Sequence, residues 1–161
     1  MYQVDEKDSV EELQDIPQSS TGAPIPLVIA DEHRVILAYC VEDRSPEWDG
    51  TQIRVLDPVG SDEPIAIVRF QRCKVHLFGP PTDEAFAGHP LASRGLQPYG
   101  AFRVKGSSWI RQLERMNSVH RYHPRRGFGN CSTSCLPFTT LYSNASVRPS
   151  TLARGKDRFT Q

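Results

Sequence analysis

The sequence predicts an α+β fold: mainly antiparallel β-sheet in a sandwich-like arrangement, with one amphipathic helix near residues 108–118 packed on it. Two observations carry that expectation. Short apolar runs with period-two alternation recur between clusters of Gly, Pro, Asp and Ser, as strands and turns do. One stretch, after Ser107, instead repeats apolar residues at helical spacing. At 161 residues the chain is the size of one domain able to bury its own core.

The elements follow in order. Residues 1–24 are acidic, then rich in Ser, Gly and Pro, and read as a disordered tail with at most a helical turn near Val10 and Leu13. A single α+β domain is expected over 25–124. Leu27, Val28, Ile29 and Ala30 make a short strand, and Asp31 and Glu32 turn the chain into a second one over 33–42. There Val35, Leu37, Tyr39 and Val41 line one face and Ile36, Ala38 and Cys40 the other. Both faces are apolar, so this strand is expected to be central and covered on both sides. After a polar loop over 43–50, Ile53 and Val55 alternate with Gln52 and Arg54, and 58–64 is a breaker-rich turn. Strands are expected over 65–70, over 72–78 with Cys73, Val75 and Leu77 inward, and over 100–105. Ser107 or Ser108 can cap the helix that carries Trp109, Ile110, Leu113 and Met116 on one stripe. Residues 125–161 lack periodicity and read as an irregular tail.

Charge and composition narrow the function classes. The formal net charge is zero, yet from Arg103 onward eleven Lys and Arg face only Glu114 and Asp157. A basic half of this kind can bind nucleic acid; without interleaved aromatics a scatter of surface charge is the favoured reading. No apolar run approaches the roughly 18 residues of a membrane span, and no secretory signal is read at the start, so the cytoplasm is the expected setting. Cys40 and Cys73 sit in apolar runs as small hydrophobes, and no disulfide is expected among the four cysteines.

Residues 79–96 are unlike the rest. They join two strands, exceed a hairpin turn, and set acid, His and Arg between Gly and Pro pivots, as functional loops do. Asp83 or Glu84 can act as general base or metal ligand, His89 as acid, base or ligand, and Arg94 as an anion clamp. Arg94, Trp109 and Arg111 are the candidate binding residues. The structural alternative is plain: Thr82 capping a helix start with Asp83 and Glu84 on its dipole, and His89 bonded to backbone before Pro90. His120 and His123, Cys131 and Cys135, and the sequon at Asn144 are weaker signals. No metal site and no cofactor is expected.

Several motifs together resemble a family of small bacterial proteins of uncharacterised function. They are Phe78-Gly79-Pro80-Pro81, Asp83-Glu84-Ala85, Gly88-His89-Pro90-Leu91, Arg94-Gly95-Leu96, Tyr99-Gly100-Ala101-Phe102 and the run from Ser107 through Trp109 to Asn117. The resemblance covers about 26–124 and implies no activity. After Pro124 it stops. The family pattern continues with an apolar strand of the type Phe-Thr-Phe-His-Asp-Ser, then Glu-Cys-Val, whereas here no acidic residue occurs from Arg115 to Lys156. Permitted codons for Ser134 to Ser146, read two nucleotides later, give that missing run. A frameshift between about His123 and Ser134 is therefore expected.

The expectation for function is a small binding or interaction module, with a protein partner, acting through 79–96. The alternatives are a hydrolase-like enzyme using Asp83, Glu84 and His89, and a nucleic-acid binder using the basic half.

Overall fold

The computed structural model describes residues 3–21, 23–41, 64–123, 132–136, 139–143 and 148–153. Among them the chain forms strands β1 (Ser9–Glu12), β2 (Leu27–Ala30), β3 (Arg34–Cys40), β4 (Ile65–Gln71), β5 (Cys73–Phe78) and β6 (Phe102–Lys105). Helix α1 (Ser108–Asn117) and strands β7 (Ser132–Leu136), β8 (Thr139–Ser143) and β9 (Arg148–Ala153) follow. A five-stranded sheet has the order β1-β6-β7-β8-β5 and a four-stranded sheet the order β2-β3-β4-β9. Their pairings are antiparallel throughout. This is the α+β, mainly antiparallel architecture with one helix that the sequence predicts.

The four-stranded sheet is built on alternation. Asp31 organises its first turn: its carboxylate accepts from the backbone N–H of His33 and of Arg34 at 2.8 and 2.7 Å and pairs with the Arg34 guanidinium at 2.7 Å. Those bonds lower the Asp31 carboxyl to about 2. From there β3 and β4 pair in unbroken register from Arg34↔Gln71 to Cys40↔Ile65. Val35, Leu37 and Tyr39 on β3 and Val68 and Phe70 on β4 are each 1% exposed or less. Fully burying a side chain of this kind contributes about 1.5–3 kcal/mol. The strand is central, as its two apolar faces predict, but its second face is less covered. Ile36 and Ala38 are half-buried, and their neighbours Leu27 and Ile29 are exposed.

A different economy holds the five-stranded sheet. Phe102, Val104 and Cys135 pack with Leu91 and Leu96 from the 79–96 segment, which therefore covers one of its faces. Strand β5 lies at the edge, and Leu77, expected inward, is 49% exposed there. Helix α1 is fixed by its N-terminus. The Ser107 hydroxyl accepts from the Ile110 N–H at 3.4 Å, while the Asp8 carboxylate accepts from the Ser108 N–H at 2.8 Å and from its hydroxyl at 3.1 Å. Trp109, Ile110 and Leu113 are half-buried on its stripe, and Met116 is exposed.

Two segments differ from the sequence expectation. Residues 9–12, read as part of a disordered tail, are the edge strand β1, in register from Ser9↔Lys105 to Glu12↔Phe102. Asp8, Ile16 and Ser19 of that segment are buried. An edge strand needs backbone pairing more than an apolar face, so its sequence shows little periodicity. Within 125–161, read as irregular, 132–136, 139–143 and 148–153 are strands. Thr133 is fully buried there, its hydroxyl donating to Ser107 Oγ at 2.9 Å. The expected strand around Ile53 and Val55 and the turns beside it lie outside the described residues, as does Cys131.

Candidate functional site

A cavity of about 460 Å³ opens where the end of β5 meets the start of the 79–96 segment. Phe78, Pro80, Pro81 and Pro98 give it apolar walls, and Asp83 and Tyr99 stand beside them. Thr21 and Pro24 close the side toward the N-terminal segment. The volume falls within the range of small-ligand sites, and the mix of apolar lining with few polar groups is what such sites have.

Local chain geometry fixes the polar pair. Gly79 has φ +141°, a conformation open to glycine, at the point where the chain leaves β5. Tyr99 also has a positive φ, +67°, one residue after Pro98. Its hydroxyl donates to Asp83 Oδ2. That bond, with a smaller backbone contribution from the Glu84 N–H, lowers the Asp83 carboxyl below the usual carboxylate range. Losing its proton beside this carboxylate is correspondingly harder for Tyr99, whose phenol is pushed up to about 12. At neutral pH the pair is a carboxylate accepting from a neutral phenol.

The structure divides the residues that the sequence singled out. Asp83 lines the cavity; Glu84, His89 and Arg94 do not. His89 lies after the short 3-10 turn Phe86–Gly88, stacked on the Phe86 ring with centroids 5.5 Å apart. Its Nδ1 accepts from the Leu91 N–H at 3.1 Å, and burial lowers its pKa, so the ring is neutral at pH 7. This is the backbone-bonding role before Pro90. Instead of starting an α-helix at Thr82, the Asp83 region forms turns, with Ala85 N–H bonded to Thr82 O at 3.1 Å. Arg94 ends the second 3-10 turn, Ala92–Arg94, and is exposed. Trp109 and Arg111 sit on α1. Arg111 donates to the Gly106 carbonyl and pairs with Asp5 at 2.5 Å.

Asp83 is bonded to Tyr99, and His89 to the Leu91 backbone. Among the described residues no three His, Cys, Asp or Glu side chains converge as a metal cage would. His120 Nδ1 is engaged by the Tyr122 N–H at 3.2 Å. Phe78, Tyr99 and the prolines are not among the site residues that the sequence singles out: Phe and Pro carry no reactive group, and Tyr99 lies outside the 79–96 loop. The signal was present in Pro80-Pro81, at the start of the long loop, and Pro98-Tyr99, just after its end, two dipeptides stiffened by proline.

Comparison with known proteins gives no match: no family model, no curated protein and no solved structure matches this chain. No helix among the described residues is long and apolar enough to cross a membrane.

Proposed function

We propose that this chain is a binding module whose site is the cavity between Phe78–Asp83 and Pro98–Tyr99. The observation that carries the reading is an apolar, proline- and aromatic-walled cavity with one hydrogen-bonded carboxylate held at its side. Preformed walls reduce the ordering cost of binding, and a single fixed polar group orients what enters. The test is a fragment and peptide screen read by amide shifts in 15N-labelled protein. Shifts clustered on Phe78, Gly79, Thr82, Asp83 and Tyr99 support the reading; shifts centred on His89 and Arg94, or on α1, overturn it.

The nucleic-acid reading is weaker on the described residues. Lys105 pairs with Glu11 at 2.9 Å and Arg111 with Asp5, so two of the basic residues after position 102 are already engaged by carboxylates. Arg103 has its Nε buried in the five-stranded sheet. Membership of the small bacterial family and a cytoplasmic setting remain parts of this proposal.

The shifted frame after about His123 also stands as a proposal. What supports it is the polar content of β7. Ser134 is 1% exposed, and its hydroxyl has no hydrogen-bond partner among the described residues. A buried unpaired hydroxyl costs about 1–3 kcal/mol, and the restored run would put apolar residues at this stretch. Resequencing the gene across codons 119–161 decides it. A second frame that continues the family strand supports the shift, and its absence in both other frames removes it.

A further inference from the structure

We infer that the cavity receives a basic side chain, Lys or Arg, of a partner protein; this rests on the binding-module reading above. Three features of the lining point the same way. Asp83 is the one charged side chain among the described residues that line it, so the charge an occupant meets is negative. A carboxylate has about four acceptor positions. The Tyr99 hydroxyl and the Glu84 N–H leave capacity on it for an incoming N–H. The second feature is aromatic: Phe78, 48% exposed, and the half-buried Tyr99 present ring surface to the same space, and ring faces attract cations. The third is the wall of Pro80, Pro81 and Pro98. Apolar pyrrolidine rings suit the methylene stem of a long basic side chain, which buries its stem and keeps its head at polar groups.

An anionic occupant meets like charge at Asp83, and a short neutral one leaves the carboxylate without a new partner. The alternatives within the basic class differ in geometry: a guanidinium can bond the carboxylate with two parallel N–H groups, an ammonium with one.

The experiment uses the full chain, labelled with 15N, and four probes: the N-acetyl, N′-methylamide derivatives of arginine, lysine, norleucine and glutamate. Norleucine keeps the apolar stem and lacks the charge. The expected result is binding of the arginine and lysine probes at least tenfold tighter than norleucine, with shifts on Gly79, Thr82, Asp83 and Tyr99. Asp83→Asn should abolish that tenfold preference, the arginine and lysine probes falling to the level of norleucine on the same variant. Added salt should narrow it in the unaltered chain, a readout that depends on no variant. If norleucine equals lysine, or glutamate binds best, with the shifts still on these residues, the basic-side-chain inference is overturned and the binding site stands. If no probe shifts them and the broader screen also leaves them unmoved, both fall.

Discussion

The β3–β4 core and the junction around Asp8 hold the molecule together by opposite means. The first is a dry stack of Val35, Leu37, Tyr39, Val68 and Phe70, each 1% exposed or less. The second is a set of buried polar groups, Asp8, Ser107, Ser108 and Thr133, each answered by a hydrogen bond. Apolar burial is additive and tolerant of detail, whereas a buried polar group is stabilising only while its partner is in place. The contrast predicts different responses to mutation.

Phe70→Ala should have the largest effect. It removes a ring that is 1% exposed, and large-to-small changes of this kind cost about 3–5 kcal/mol. Equilibrium denaturation should show a lower midpoint with the slope unchanged. A loss below about 1 kcal/mol would mean that the core collapses around the gap.

Asp8→Ala should come next. It leaves the Ser108 N–H, the Ser108 hydroxyl and the Asp5 N–H without their acceptor. Charged hydrogen bonds and helix caps together suggest a loss of about 2–3 kcal/mol. Asp8→Asn should recover part of it, since the amide oxygen still accepts from Ser108. Equal losses for Asn and Ala would show that the charge, rather than the acceptor, matters at α1. Gly106 gives the junction a second constraint. Its φ is +61°, and an added Cβ would lie 2.3 Å from the Lys7 carbonyl oxygen, so the chain just after β6 passes too close to the chain just before β1 for a side chain there.

This contrast also explains what was legible in the sequence. The stack over 35–41 and 65–70 was readable because a period of two is local: each residue's burial follows from its neighbours. The helix was readable for the same reason, with Ser107 or Ser108 as its cap, and the structure places Ser107 there. Asp8 was not, because its partner stands one hundred residues away and an acidic residue before a Ser reads as solvated charge. At the candidate site Asp83 was singled out by its chemistry and does line the cavity. Its partner Tyr99 is sixteen residues on, and only the fold brings them together. His89 was legible as an unusual residue, but not as a ring already committed to the Leu91 backbone.

Tyr39 joins the two regimes and gives a smaller, sharper test. Its ring is in the dry stack, while its hydroxyl donates to the Pro17 carbonyl at 2.7 Å and so ties the N-terminal segment to the core. Tyr39→Phe keeps the ring and removes the hydroxyl, for an expected loss of about 1 kcal/mol. Hydrogen exchange should rise in the N-terminal segment before it rises in β3. A uniform rise across both would mean that they open together and that the two regions form one cooperative unit.

The smallest effect should lie in the exposed turn between β2 and β3, where pH replaces mutation as the lever. The Asp31 carboxyl is held at about 2 by the His33 and Arg34 groups bonded to it, against an ordinary value of 3.8. Because the folded value is the lower one, this contribution is fully present above about pH 3.8. It declines as pH falls through that value toward 2, and is gone once the carboxyl is protonated in both states. In Asp31→Asn the amide oxygen can still close the turn, but no proton is taken up. The difference in midpoint between the two chains should therefore shrink between about pH 4 and pH 2 and stay constant above that window. A gap that persists unchanged at pH 2 would assign the role of Asp31 to the shape of its turn, not to its charge.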